Sequence, residues 1–457
     1  MRRAQPSLTG DTIAAVATPP GKGAIAIVRC SGPDARAIAA RVFRAREPLR
    51  DRAVAYGEIV DALGAVIDRG LALAMDAPRS VTGEDVVELH VHGSPVVARE
   101  TLRALLHAGA RAAGPGEFTR RAFLNGKLDL SAAEAVADVI DAESRAAARA
   151  AQANLAGGLR AAVESVRAEL ATVLEELAGA IDYPDEVPEP PRERVREAVE
   201  RADARLDALV HDWERWRLVR EGLSLAIVGP PNAGKSSLLN ALLGEERAIV
   251  SAIPGTTRDV IEESFTVEGV PVRVLDTAGL RASDDVVERI GIDRARRALD
   301  AAAVALVVVD GSRTLDADAR AVLAQTRARE RVVLFNKRDL GTAGYDARAA
   351  EERDALSGSV FTEATLEAVR GAIAGAGWHG ERVDADRPHL ASARQADAVA
   401  RAREALAQAR ETLAADEPVD LIAPELLAAS AALAEITGAA ATEALLDGVF
   451  ARFCIGK

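Results

Sequence analysis

Nine consecutive residues, Gly229-Pro230-Pro231-Asn232-Ala233-Gly234-Lys235-Ser236-Ser237, constrain this 457-residue chain more than any other feature. They follow the apolar run Leu225–Val228 and precede the helix-like run Leu238–Leu243. Gly-x-x-x-x-Gly-Lys-Ser between a strand and a helix is the context a phosphate-binding loop requires. Its glycines let backbone N–H groups turn toward phosphates at a helix N-terminus. Lys235 is then placed to reach the β- and γ-phosphates, and the Ser236 hydroxyl to bind Mg²⁺. Such a loop needs a parallel sheet behind it. The alternation of strand-like and helix-like runs from Leu223 to about Ala374 predicts one.

Downstream motifs follow in a fixed order. Val272–Leu275 reads as a strand ending in Asp276-Thr277-Ala278-Gly279, where an Asp can hold the Mg²⁺ shell and a Gly N–H can sense the γ-phosphate. Val304–Val309 is another buried strand, and Val332–Phe335 leads into Asn336-Lys337-Arg338-Asp339. The Asp339 carboxylate suits the guanine N1–H and N2–H₂ donors, which adenine lacks; buried hydrogen-bond readout of this kind discriminates by roughly 10⁴–10⁵. The three motifs together specify GTP. Between the first two lies Ser251-Ala252-Ile253-Pro254-Gly255-Thr256-Thr257, a loop whose threonines can close on Mg²⁺ and make a switch. Ser359-Val360 is the best placement for the loop over the base. Leu280 stands where many Ras-like GTPases carry a water-orienting Gln, so hydrolysis must recruit another group. Candidates are a nearby acid such as Glu288, or a monovalent cation held by Asn232 and acceptor oxygens of the 251–256 segment.

The rest of the chain is of two textures. Residues 1 to about 125 read as mixed α/β, with strands at Ala14–Ala17, Ala24–Val28, Val54–Val60, Leu71–Ala74 and Val86–Val91 and helices near Pro33–Phe43 and Pro95–Leu106. From Leu130 to about Arg220, apolar residues such as Val163, Val166, Leu170, Val173, Leu174 and Leu177 recur at helical spacing. Ser131 and Glu134 stand at capping-box spacing. The same Ala/Glu/Arg/Leu texture returns after Arg387, through Ala393–Ala414 and Pro424–Phe453. The predicted fold class is therefore multidomain: an N-terminal α/β domain (1–126), a helical domain in two parts (127–220 and 378–457), and an inserted P-loop GTPase domain with a Ras-like parallel sheet (221–377).

Composition excludes several classes. The longest apolar run, Ala301–Val309, is about half of a membrane span. Two cysteines, Cys30 and Cys454, cannot make a disulfide framework and suit a reducing cytosol, and Met1–Pro6 lacks a signal-peptide core, so a cytoplasmic protein is expected. A net charge of −13 argues against generic polyanion binding. Basic residues are almost all Arg: only Lys22, Lys127, Lys235, Lys337 and Lys457 are Lys among 57 Lys and Arg. Positions that kept Lys are those where a compact ammonium can matter.

Four further blocks carry a family resemblance over essentially the whole chain. They are Asp11-Thr12-Ile13 with Ala17–Gly23, Thr82–Leu89, Pro115–Thr119 with Arg121–Lys127, and Phe453-Cys454-Ile455-Gly456-Lys457. With the GTPase motifs, they resemble the MnmE (TrmE) family of tRNA modification GTPases. That resemblance implies an N-terminal domain that forms a homodimer and binds a 5-formyltetrahydrofolate-type folate. It implies a flavin-dependent partner, MnmG (GidA), and a carboxymethylaminomethyl group added at C5 of the wobble uridine of certain tRNAs. It also implies a GTPase stimulated by K⁺ and by pairing of GTPase domains. Carried over position by position, folate contacts fall on Arg29, Glu88, Lys127 and Lys457, and K⁺ ligands on Asn232, Ser251, Ile253 and Thr256. Mg²⁺ ligands fall on Ser236 and Thr257, and the water-orienting acid on Glu288. A one-carbon donor beside a thiol makes Cys454 a candidate catalytic residue.

His90 and His92 share a strand face without a third ligand at metal spacing, so they read as core or solvent histidines. Trp213 and Trp216 read as helix packing. Two functional classes stand: a GTPase coupled to tRNA modification, and a regulatory or ribosome-assembly GTPase with no modification chemistry. The Cys454–Lys457 tail and the folate positions discriminate them, because a pure switch needs neither.

Overall fold

The computed structural model describes residues 10–244, 263–275, 297–342, 352, 354–378, 387–415, 417–418 and 421–457. The N-terminal strands are β1 (Ile13–Val16), β2 (Ile25–Ser31), β3 (Phe43–Ala45), β4 (Val54–Val60), β5 (Val66–Met75), β6 (Val86–His92) and β7 (Arg111–Ala112). They form one sheet in the order β3-β4-β5-β6-β2-β1-β7, antiparallel except where β7 joins β1. One face is covered by α1 (Ala35–Val42) and α2 (Pro95–His107), and Ala26, Val28, Ile38, Ala72, Leu89 and Leu105 fill the core between them. Residues alternate sides along a strand. The opposite face therefore carries Ile27 and Arg29 of β2, Glu88 and His90 of β6, Leu71 and Leu73 of β5, and Val54 and Tyr56 of β4, as the pairing register requires. Val54 and Tyr56 are 63% and 67% exposed, so this face is open at its β4 side. At its β1 side it is closed by α3 (Glu117–Leu124), whose Phe118 packs on Ile13, Ala15 and Ala113.

The helical domain begins with α4 (Leu130–Asp141), α5 (Arg145–Leu155), α6 (Gly158–Asp182) and α7 (Arg192–Glu221). Leu159, Val163, Val166, Leu170, Val173 and Leu177 make the buried stripe of α6. Each fully buried side chain of this kind is worth about 1.5–3 kcal/mol. Residues from the far end of the chain complete the same core: Ala398, Val399, Ala402 and Leu406 of α11 (Ala393–Ala414), and Leu426, Ala429 and Leu433 of α12 (Ala423–Thr437). The inserted sheet is described as β8 (Leu223–Val228), β9 (Glu263–Val267), β10 (Val270–Val274), β11 (Val304–Asp310), β12 (Arg331–Asn336) and β13 (Leu356–Ser357), in the order β13-β12-β11-β8-β10-β9. Only the β9–β10 pair is antiparallel. Helices α8 (Lys235–Leu243), α9 (Ala317–Thr326) and α10 (Glu363–Trp378) pack on it, and α13 (Glu443–Phe450) ends the helical domain. No helix among the described residues is long and apolar enough to cross a membrane.

The structure corrects several local expectations. The α4 cap is Asp129, whose carboxylate accepts from the Ser131 and Ala132 amides, and Ser131 Oγ donates to Asp129 instead of capping. Glu134 faces another way and binds Arg394 and Gln395 of α11. A carboxylate two residues earlier outcompetes the serine. The helix expected over Pro424–Phe453 breaks at Gly438, which adopts φ +84° and closes α12. The strand expected at Leu71–Ala74 extends back to Val66 and pairs with the whole of β4, Gly70 opposite Gly57.

Candidate functional site

The chain leaves β8 toward β10 on one side and leaves β11 toward β12 on the other, so the connections part between β8 and β11 and open a crevice at their carboxyl ends. The phosphate-binding loop fills that crevice. Gly229, Asn232 and Gly234 all have positive φ (155°, 61° and 100°), the turn that brings backbone N–H groups inward. At Gly234 a Cβ would stand 2.3 Å from Asn336 Nδ2, so a side chain there would displace the amide that ties the two loops, on top of the strain of φ +100°. Gly234 is also the cap of α8, and no side chain caps that helix. First-turn amides are thus left for an anion. Lys235 Nζ donates to the loop's own carbonyls, Gly229 O at 2.9 Å and Pro230 O at 2.8 Å. Burial pulls its pKa below the usual lysine value. Ser236 and Ser237 stand exposed at the start of α8, Asn232 is exposed on the loop, and Ala233 is buried under it.

The base-reading motif is tied to this loop. Asn336, buried at the end of β12, donates from Nδ2 to Ala233 O at 2.9 Å and accepts the Val360 N–H at Oδ1, 3.1 Å away. One amide thus joins the phosphate loop to the 358–362 loop. Lys337 takes φ +64° and its Nζ pairs with Asp310 at 2.9 Å. Burial opposes ionisation of Asp310, but hydrogen bonds from Lys337 and Ser312 outweigh it and hold its pKa below the usual carboxylate value. Asp339 lines a cleft of about 460 Å³ with Arg338, Ser357, Gly358, Ser359 and Thr362. The structure therefore brings Ser359 to Asp339. Ser251, Ala252, Ile253, Pro254, Gly255, Thr256, Thr257, Asp276, Thr277, Ala278, Gly279 and Glu288 lie outside the described residues.

A second polar corner forms where α3 meets the open face of the N-terminal sheet. Arg29 and Glu88 are direct cross-strand partners, with Arg29 Nε 2.8 Å from Glu88 Oε1. The other Glu88 oxygen lies 3.3 Å from His90 Nε2. The Arg29 guanidinium sits 5.6 Å above the Phe118 ring, a cation–π contact. Phe118 N–H in turn donates to Lys457 O at 3.1 Å, and Ile455 bridges Pro115, so the C-terminal tail lies along this corner. Cys454 is exposed, and Cys30 is buried with its thiol pKa pushed up to about 12. Beneath α3, Arg121 is 1% exposed and ion-paired to Asp11 (2.6 Å), Glu84 (3.1 Å) and Glu117 (3.1 Å). Lys127 is placed apart. Its Nζ donates to Pro78 O at 3.0 Å, and no described contact joins it to Arg29 or Glu88. His92 pairs with Asp68, and Trp216 is buried against His389, with ring centroids 4.0 Å apart.

The family model for the MnmE helical domain matches residues 130–454, and that for the GTP-binding protein TrmE N-terminus matches residues 12–127. The tRNA modification GTPase MnmE of Chloroflexus aurantiacus is 44% identical over 98% of this chain and 100% of that one. The chain belongs to the MnmE family of tRNA modification GTPases. Relatives of the same name from Heliobacterium modesticaldum and Symbiobacterium thermophilum are 44% and 46% identical, again over 98% of this chain. A GTP hydrolase using Mg²⁺ follows from membership, and the reading as an assembly GTPase without modification chemistry is not favoured.

In this MnmE-family chain, sequence reasoning named Arg29, Glu88 and Lys457 but missed Phe118 and the Arg121 network. No spacing signals them, since Arg121 and Asp11 are 110 residues apart. The corner's donor set fits a folate: a carboxylate can accept pterin N–H groups and Arg29 supplies a cation, while Phe118, 1% exposed, supports Arg29 from beneath. For Mg²⁺ the described residues offer the Ser236 hydroxyl at the α8 start, and for K⁺ the exposed Asn232 amide oxygen.

Proposed function

We propose that this protein couples GTP hydrolysis to addition of a carboxymethylaminomethyl group at C5 of the wobble uridine of certain tRNAs, with the flavin-dependent MnmG as partner. Family membership supports the reaction class. The observation that carries the finer reading is the tail: its backbone is docked on α3 beside Arg29 and Glu88, a placement a pure switch does not need. The proposed division is 1–126 for the folate-binding and dimerisation domain, 127–220 and 378–457 for the helical domain, and 221–377 for the GTPase domain.

In hydrolysis, Lys235 leaves the Gly229 and Pro230 carbonyls for the β- and γ-phosphates, and Asp339 with Ser359 holds the guanine. Ser236 and Thr257 are the Mg²⁺ ligands, and Glu288 orients the attacking water. Asn232, Ser251, Ile253 and Thr256 hold K⁺, which supplies positive charge at the phosphates. Loss of one such electrostatic group costs about 10²–10³ in rate. In the N-terminal domain, Glu88 accepts from the pterin edge while Arg29, Lys127 and Lys457 supply cations to an anionic folate, with Cys454 at hand as a thiol. The open face with Ile27, Leu71, Val54 and Tyr56 supports a homodimer, because a second copy would cover its apolar side chains. The proposed site of action is the cytoplasm.

The deciding experiment is mass analysis of tRNA wobble nucleosides from cells lacking the gene, complemented with the full chain or with a chain lacking Cys454–Lys457. The full chain restores the modified nucleoside, and the truncated chain hydrolyses GTP without restoring it. Restoration by the truncated chain would overturn the role of the tail. Faster hydrolysis in KCl than in NaCl is expected, and equal rates would remove the K⁺ assignment.

A further inference from the structure

The tail crosses a seam in which two glycines face backbone on opposite sides. At the end of α13, Phe450 and the following Phe453 are buried with Leu130, Ala133, Leu446 and Val449, which fixes the root of the tail. From there the Gly116 N–H donates to Cys454 O at 3.4 Å and the Phe118 N–H to Lys457 O at 3.1 Å. Gly456 takes φ +100°, and a Cβ there would lie 2.3 Å from Val16 O and 3.1 Å from Ala17 Cα. Gly116 takes φ +63°, and its Cβ would lie 2.7 Å from Phe450 O and 3.0 Å from Phe453 Cβ. Both positions carry two independent penalties for any side chain: a left-handed backbone and a contact with main chain that cannot rotate away.

The partners of these glycines are already part of the corner. Val16 ends β1, and its neighbour Ala15 is the direct cross-strand partner of Arg29. Gly116 is the N-terminal cap of α3, the helix that carries Phe118 under Arg29. A shift of the tail by the width of a methyl group would therefore move Cys454 and Lys457 relative to Arg29 and Glu88. It would leave the phosphate loop, on another sheet, as it is.

We propose that Gly456 and Gly116 are positioning residues of the modification reaction: by admitting close backbone contact on both sides of the tail, they set Cys454 and Lys457 against the Arg29–Glu88 corner. This rests on the reading that corner and tail take part in modification. Neither glycine touches the reacting atoms.

The test uses the full chain with its partner and tRNA, comparing Gly456→Ala and Gly116→Ala with Gly448→Ala. Gly448 lies in α13 with nothing within 4 Å of an added Cβ, so it controls for the substitution itself. In Gly456→Ala, hydrogen exchange at the Gly116 and Phe118 amides should rise about tenfold or more while exchange in β6 stays the same. Its kcat for modification should fall about tenfold or more, with KM for tRNA and GTP hydrolysis both within about twofold. Gly116→Ala should follow it, and Gly448→Ala should change neither readout. Unchanged amide exchange would overturn the steric lock. Faster exchange with modification intact would overturn the positioning role. The underlying reading fails separately, if a chain lacking Cys454–Lys457 still modifies tRNA.

Discussion

The nucleotide crevice and the N-terminal corner both place charged groups against a sheet, the first at the strand ends and the second on a face, yet they are assembled in opposite ways. The crevice draws most of its described chemistry from nine contiguous residues, and a single long tie, Asn336 to Ala233, adds the base-reading strand. Its lysine is held by carbonyls five and six residues away. The corner has no such segment. Arg29 meets Glu88 across 59 residues, Arg121 meets Asp11 across 110, and the tail arrives from the other end of the chain. A contiguous loop can carry its function into many folds, whereas the corner exists only when the N-terminal sheet, α3 and the helical domain are all in place. Damage to packing should therefore reach the corner first and the crevice last.

The largest test of that contrast is Arg121→Met. Arg121 is buried among three carboxylates, and removing one partner of a buried ionic cluster costs about 3–5 kcal/mol because the remaining charges lose their compensation. Asp11 and Glu117 would keep Arg111 as a partner, and Glu84 would lose Arg121. The expected result is a lowered melting transition for the N-terminal domain and lost modification, with GTP affinity by calorimetry unchanged. A parallel fall in GTP affinity would show that the two regions are not independent. The converse change is Lys235→Ala. Hydrolysis should drop by about 10²–10³, the usual cost of one preorganised charge, while amide exchange at Phe118 stays the same. Altered exchange there would again break the comparison.

The same contrast explains what could be read from the chain alone. The phosphate loop, the strands behind it and the base-reading motif are legible because local spacing encodes them, and Asn336 ends β12 while Asp339 lines the adjoining cleft. The long helices are legible because Leu159 to Leu177 keep one stripe over the whole of α6. Phe118 was not, because a lone aromatic in a short helix has no periodic signal, and only the fold shows Arg29 above it. Arg121 looked like one of many arginines until its burial was known. The α4 cap is not legible, because Ser131-x-x-Glu134 matches a capping box and the sequence does not reveal that Glu134 is claimed by Arg394 and Gln395 from the other half of the helical domain. Residues 29, 88 and 457 were reachable only through the family resemblance, which stores tertiary proximity that spacing lacks.

A smaller effect lies where the two regions meet. Asp138 on α4 faces Arg220, 3.6 Å away near the end of α7, just before β8 begins the GTPase sheet. Arg220 also donates to Ala391 O, and His389 and Trp216 line the same small cavity. Burial pushes the Asp138 pKa up to about 6, with Glu134 and Asp141 adding to the rise and Arg220 opposing it. The unfolded value is 3.8, so the fold binds this proton more tightly than the unfolded chain. The stabilisation it gives is complete below that value and is lost as pH rises through about 6. At pH 7 the cost of the ionised group reaches at most about 3 kcal/mol, taking about 1.4 kcal/mol per unit. Asp11 and Glu117 have the opposite sign. Burial opposes their ionisation, but Arg111 and Arg121 outweigh it, and their contribution is lost only on acidification. His389, with its pKa lowered to about 4 chiefly by burial, is neutral at pH 7 and cancels in a difference between variants. Asp138→Asn should therefore be more stable than the native chain at pH 7.5, and the gap should close toward pH 4.5. Denaturant midpoints at the two pH values measure it. A gap independent of pH would mean that Arg220 neutralises Asp138 fully and that no charge is stored at the junction. A gap that closes would show that Arg220 leaves Asp138 incompletely compensated where α4 meets the end of α7, just before the GTPase sheet.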